Sequence, residues 1–194
     1  PPLLLGLDLD LSPEEAEELR FRTDRYLPKD IALHSIVPVR EDAHARFSAT
    51  SRTYRYYVTL RKDPFLESLM LRLHFPLDFE AMNEAASHLM DYTDFTSFSK
   101  LHTDVKTNNC RVMEAFWKPG VSEGQWVFTI TADRFLRNMV RAIVGTLFQV
   151  GRGKLSVADF CQIVEAKDRG RAGSSAPAHA LYLEAVGYPD ELYL

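Results

Sequence analysis

The stretch from Arg134 to Val150, RFLRNMVRAIVGTLFQV, constrains the fold more than any other part of the chain. At about 100° per residue, Leu136, Met139, Val140, Ile143, Val144 and Leu147 fall on one side of a helical wheel, and Arg134, Arg137, Asn138 and Arg141 on the other. Such a helix must bury its apolar side against a second layer of structure, while its arginines line the opposite face. Gly151-Arg152-Gly153 ends it.

The second layer is a sheet. From Arg52 to Leu60 the side chains alternate, placing Tyr54, Tyr56, Val58 and Leu60 on one face and Thr53, Arg55, Tyr57 and Thr59 on the other. Residues Cys110 to Lys118 and Gln125 to Ala132 read as two strands of a hairpin turning at Pro119-Gly120 and Glu123-Gly124, and Leu181 to Tyr188 reads as a last strand. Further helices start after Ser12 and run through Arg22, after Asp78 to about Met90, and after Ser156 to about Lys167. Residues 91–109 read as a long polar loop with embedded aromatics. The strands lie too close in sequence for parallel crossovers throughout, which predicts an α+β fold: an antiparallel or mixed β-sheet with helices packed on it.

Charge is unevenly placed along the chain. Residues 1–30 carry eight acidic and four basic side chains, which accounts for the whole net charge of -4 and leaves the remainder balanced. Two segments of that remainder are basic: residues 40–62 hold six Lys/Arg against two acids, and residues 134–154 hold five against none. Two basic patches on a neutral body fit a polyanionic partner. The two cysteines, Cys110 and Cys161, suggest neither a disulfide framework nor a zinc site, and the six histidines are scattered, so a metal hydrolase is a poor reading. A reducing compartment and a soluble protein are expected. No basic region precedes the leucines of PPLLLGLDLD, which speaks against a signal peptide, and no apolar run approaches the ~18 residues that span a bilayer.

Four segments in order carry a family resemblance: HARFSATSRTYRYYV (His44 to Val58), DFTSFS (Asp94 to Ser99), RFLRNMVRAIVGTLFQVGRGK (Arg134 to Lys154) and APAHALYLEAVGYP (Ala176 to Pro189). Together with LPKDI (Leu27 to Ile31), they resemble the motifs of the bacterial tRNA pseudouridine synthase A family. The resemblance implies a homodimeric cytoplasmic enzyme, without cofactor or metal, that binds tRNA and converts uridines to pseudouridine in the anticodon stem-loop. The family precedent is positions 38 to 40. It also implies a domain running over 27–194, with 1–26 as an acidic helix left from the end of a preceding lobe.

Roles follow from the same resemblance. Tyr54 matches the tyrosine that stacks on the target uracil and assists at its C5 proton; Arg141 matches the arginine that pairs with the nucleophilic aspartate. Leu181 or Leu183 is expected to line the uracil pocket. His44, Arg46 and Arg52 are expected to support or contact RNA in the first basic segment, and Arg134 and Arg137 in the second. Tyr56 is expected in the core. The family's Gly-Arg-Thr-Asp-x-Gly-Val-His-Ala motif is missing: Arg22-Thr23-Asp24 imitates its centre, but Phe21 precedes it and Arg25-Tyr26 follows. Those three residues are read as an ordinary helix end. The chain is therefore expected to be the C-terminal portion of a longer enzyme and to be inactive alone. A non-catalytic RNA-binding α+β module is the alternative.

Overall fold

A computed structural model of the chain describes residues 5–100 and 107–194. Among these are four α-helices, α1 (Pro13–Tyr26), α2 (Phe79–Ser87), α3 (Met139–Gly151) and α4 (Val157–Glu165). Five strands, β1 (Ser51–Thr59), β2 (Leu71–Arg72), β3 (Val112–Pro119), β4 (Gln125–Ala132) and β5 (Leu181–Gly187), form one mixed sheet. The α+β expectation holds. The chain divides into two compact units, one formed by Ser51–Ala185 and the other by the described part of Pro1–Thr50 with Val186–Leu194.

In the larger unit β1 is central. It pairs antiparallel with β4, setting Tyr54 opposite Ile130 and Tyr56 opposite Phe128, and β4 pairs antiparallel with β3. On the other edge of β1, Val58 and Thr59 pair in parallel with the short strand β2, which the sequence pattern does not announce. β5 also pairs with β1. Arg55 contacts Glu184, and Tyr57 contacts Tyr182, so positions fall along β5 as they rise along β1 and the pair is antiparallel.

The alternation read in β1 decides which side carries the core. Tyr56 and Val58 are fully buried beside Phe128, Ile130, Ala115 and Trp117, and against this face pack Met82, Ala85, Ile143, Leu147 and Phe160 from α2, α3 and α4. Tyr54 sits on the same face, half-buried at the margin of the core. The opposite face carries the Arg55–Glu184 ion pair at 2.8 Å and the hydrogen-bonded Thr53–Thr131 pair.

Two expectations about the third helix are corrected. It begins at Met139 rather than Arg134, because Asn138 adopts a left-handed backbone (φ 70°) that a continuing helix cannot contain. It has no exposed arginine face either: Ala142 and Gly145, on the sides away from the apolar stripe, are buried as well. A Cβ on Gly145 would lie 1.8 Å from the carbonyl oxygen of Ser174, and one on Gly151 would lie 2.4 Å from the sulfur of Met82, so α3 is packed from several sides.

The polar loop after α2 contains local structure. Residues 101–106 of it lie outside the described residues. Its DFTSFS segment contains a 3-10 turn, Thr96–Phe98, and works as a clamp on α4. Ser97 Oγ donates to the Ile163 carbonyl at 2.6 Å and accepts from the Asp168 N–H at 2.9 Å, so it caps the end of the helix with a buried hydroxyl.

In the smaller unit α1 starts with a capping box between Ser12 and Glu15 and extends four residues beyond Arg22. Thr23 and Asp24 lie in its last turn, where Asp24 accepts the Leu33 N–H at 2.8 Å. The Arg-Thr-Asp lookalike is thus a helix end.

Candidate active site

The site is built where β1, β5, the loop 169–177 and the start of α3 come together within the larger unit. Tyr54 enters from β1, its ring meeting the edge of Phe135 at 5.1 Å and 88°. Burial raises the pKa of its hydroxyl, and the charge of Arg52 opposes that rise. Two residues along the same face, Tyr56 donates its hydroxyl to the Pro177 carbonyl at 2.9 Å. Tyr56 is also held in its neutral form by burial, against the pull of the nearby Arg141 charge. Antiparallel alternation puts Leu181 and Leu183 of β5 on the Tyr54 face, Leu181 packed against the core and Leu183 half-buried.

Arg141 occupies the first turn of α3. Its own carbonyl accepts the Ala176 N–H at 2.9 Å, and its Nε donates to the Ala176 carbonyl at 2.6 Å. Neither Nη1 nor Nη2 has a hydrogen-bond partner among the described residues. A half-buried guanidinium with its stem fixed and its planar end unengaged, in the first turn of a helix, is suited to a carboxylate. The position of Arg141 differs from the expected one: it is turned inward, not aligned with Arg134 and Arg137 on an exposed helical face.

Arg134 and Arg137 lie in the connection between β4 and α3. Three further basic residues contact that connection, one by its side chain and two by their backbone. Arg52 donates Nη1 to the Asp133 carbonyl at 2.7 Å; the Lys100 N–H donates to the Arg137 carbonyl at 3.1 Å; the Arg111 N–H donates to the Asp133 carboxylate at 2.8 Å. Neither Lys100 nor Arg111 stands out in the sequence, where they lie in or beside the loop, apart from both basic segments.

His44 and Arg46 belong to the smaller unit. His44 Nδ1 accepts from the backbone N–H groups of Arg46 at 3.1 Å and Phe47 at 3.2 Å, which places the proton of the neutral ring on Nε2. The guanidinium of Arg46 lies 5.6 Å from the centre of the exposed Phe47 ring.

Comparison with known proteins bears on this geometry. A family model described as tRNA pseudouridine synthase matches residues 85–189. The tRNA pseudouridine synthase A of Porphyromonas gingivalis is 66% identical over 183 residues, covering 94% of this chain and 73% of that protein. The chain belongs to the tRNA pseudouridine synthase A family. The Bacteroides fragilis member is 56% identical over 191 residues, covering 98% of this chain and 75% of that protein. The Bacillus subtilis member is 39% identical over 175 residues, with 89% and 70% covered. Membership fixes the reaction class as isomerisation of a tRNA uridine to pseudouridine.

For a member of this family, three features of the site go beyond the residues to which the resemblance gives roles. Arg169 donates to the Gly173 carbonyl at 3.1 Å and to Ser175 Oγ at 3.0 Å, folding the loop on itself. Asn138 Nδ2 donates to the same Ser175 Oγ at 2.6 Å. Gly145 lets the loop backbone touch α3. The run GRAGSSAPAHA signals a loop by composition, but nothing in its spacing says that it packs against Arg141. No helix among the described residues is long and apolar enough to cross a membrane.

Proposed function

We propose that residues 1–194 supply the base-binding and arginine side of an isomerase that flips a uridine, at positions 38 to 40 of the anticodon arm, out of its stack. The reaction breaks the bond from ribose C1′ to uracil N1, turns the base, and joins C1′ to C5. The C5 proton is lost and N1 gains one, so the atoms balance. Unstacking costs a few kcal/mol, and stacking on an aromatic ring returns about 1–3 kcal/mol per base. Tyr54 supplies that ring, with Leu181 and Leu183 on the same face as walls of the pocket. Since burial holds the Tyr54 hydroxyl in its protonated form, stacking and hydrogen-bond donation suit it better than abstraction of the C5 proton.

The observation that carries the reading is Arg141. Its Nε is committed to Ala176, and both terminal nitrogens are left for a carboxylate that must stay ionised to assist cleavage at C1′. Residues 1–194 lack the family's Gly-Arg-Thr-Asp motif, which bears that carboxylate, so taken alone they bind tRNA without isomerising it. Arg52, Arg134 and Arg137 hold phosphates on the larger unit, and His44 and Arg46 do so on the smaller one. The homodimer and the cytoplasmic setting rest on the family resemblance.

Tyr54→Phe and Tyr54→Ala in the enzyme bearing that motif test the reading, with pseudouridine measured by carbodiimide-stop primer extension. Phenylalanine keeps the ring and should retain tRNA binding and most turnover; alanine should cost at least tenfold in turnover, about 1.4 kcal/mol. Wild-type turnover in Tyr54→Ala would sink the stacking role.

A further inference from the structure

Arg141 can hold a carboxylate in line only if its own backbone and stem are fixed, and the structure shows a separate set of side chains that fixes them. We infer that Asn138, Ser175 and Arg169 are positioning residues for the reaction, acting through the loop 172–176 to aim the guanidinium of Arg141. This rests on the reading of Arg141 given above.

The geometry runs in one chain of contacts. Arg169 grips the loop at the carbonyls of Ala172 (3.4 Å) and Gly173 (3.1 Å) and at Ser175 Oγ (3.0 Å). Asn138, three residues before Arg141, grips the same hydroxyl at 2.6 Å. Serine oxygen has two lone pairs, so both donors can be accepted at once. The next residue, Ala176, then meets Arg141 with both its N–H and its carbonyl. A further tie below, from the Gly173 N–H to the buried Thr146 Oγ at 2.9 Å, keeps the loop at its closest approach to α3.

Asn138 forgoes its ordinary use to do this. At the start of a helix an asparagine side chain usually accepts an N–H of the first turn. Here Asn138 makes no such cap, and its backbone takes the left-handed conformation that residues other than glycine adopt uncommonly. The side chain points instead at the loop that holds Arg141. Ser175 is joined to Asn138 and Arg169, and none of the three occupies the Tyr54 face, so their effect on the reaction passes through Arg141.

The test uses Asn138→Gly and Ser175→Ala in the motif-bearing enzyme. Glycine accepts φ near +70° without strain, so Asn138→Gly removes the amide and keeps the backbone. Because misplacement of a catalytic group by about 1 Å can cost on the order of 100-fold, each variant should lower kcat by about 10-fold or more with KM unchanged. A loosened Arg141 also stabilises its carboxylate partner less, so the acid limb of the pH profile of kcat should move to higher pH. The double variant should be no worse than Ser175→Ala alone, since that change already removes the oxygen that Asn138 grips. Ser175→Thr, which keeps the hydroxyl, should restore kcat. Unchanged kcat and pH profile in Asn138→Gly and Ser175→Ala, with Arg141→Ala inactive, would overturn the inference alone. Wild-type kcat in Arg141→Ala would overturn the reading of Arg141 and this inference with it.

Discussion

Arg141 and Ala176 are bound to each other twice, the Ala176 N–H to the Arg141 carbonyl at 2.9 Å and the Arg141 Nε to the Ala176 carbonyl at 2.6 Å. One contact fixes the loop on the helix, and the other fixes the side chain on the loop. A guanidinium held by Nε keeps its two terminal nitrogens in one plane, and a carboxylate approaching in that plane can form a two-pronged pair.

Arg141→Lys follows directly from that pairing. Lysine keeps the charge but has neither the Nε donor for Ala176 nor the planar fork, so the substitution is not conservative here. In the motif-bearing enzyme we expect turnover to fall by about 100-fold or more, a loss of roughly 2.7 kcal/mol of transition-state stabilisation, while tRNA affinity and its salt dependence change little. Filter binding beside single-turnover kinetics separates the two. Equal loss in both would show that Arg141 holds RNA rather than a carboxylate.

Gly145→Ala tests the close approach of loop and helix. The new Cβ would sit 1.8 Å from the Ser174 carbonyl oxygen and 3.2 Å from the Ala176 nitrogen, both backbone atoms that cannot swing aside. Overpacking of this kind costs about 1–3 kcal/mol, more than the helix propensity that alanine brings. The midpoint of urea unfolding should fall accordingly. A variant as stable as wild type would mean that the loop does not lie where the structure places it.

Much of this architecture is legible in the sequence, and what escapes it has physical causes. Period-two alternation locates β1, and with it the buried Tyr56, because a strand with one face on a core repeats its pattern locally. Capping chemistry locates the starts of α1 and α4, and the boxes at Ser12 and Ser156 are both present. Periodicity misplaces the start of α3 because Leu136 continues the helical stripe, while the left-handed backbone of Asn138 leaves no trace in the pattern. The inward turn of Arg141 is hidden for a related reason: a wheel drawn from one helix cannot know that a second element, the loop 169–177, covers its far side. β2 pairs through two residues only, too short to show a period. Arg55 resembles its neighbours in the arginine and tyrosine stripe, and only the fold shows that its partner is Glu184, 129 positions away in sequence.

That difference among the arginines has a measurable form. Arg134 and Arg137 flank a connection with no carboxylate ion pair to either side chain among the described residues, whereas Arg55 is held by Glu184 at 2.8 Å. Replacing both Arg134 and Arg137 by alanine should weaken tRNA binding and flatten the slope of log affinity against log salt by about 0.7–0.9 for each phosphate no longer held. Arg55→Ala should leave that slope unchanged, because its charge is already neutralised within the sheet. Equal slopes for all the variants would remove the phosphate role of Arg134 and Arg137.

The two cysteines supply a test of the core that needs no activity. Cys110 is buried just before β3, and burial pushes its thiol up to about 11, with the nearby Arg134 charge only partly opposing this. Below the unfolded thiol's ordinary value, about 8.5, the folded and unfolded states both keep the proton and pH has no effect through this group. Above it the unfolded chain ionises first, which favours unfolding. Stability held by the buried neutral thiol is therefore fully present below about pH 8.5 and declines as pH climbs toward the folded value of about 11. Cys110→Ser, which does not ionise in this range, should unfold at lower urea near neutral pH yet show a smaller decline between about pH 8.5 and 10. At about pH 8, where thiolate is the reactive form, Cys110 should resist alkylation by iodoacetamide while Cys161, half-buried on α4, reacts first. Mass spectrometry after brief labelling reads the order directly. Labelling of Cys110 ahead of Cys161 would show that the approach to β3 opens to solvent and that the core is not closed there.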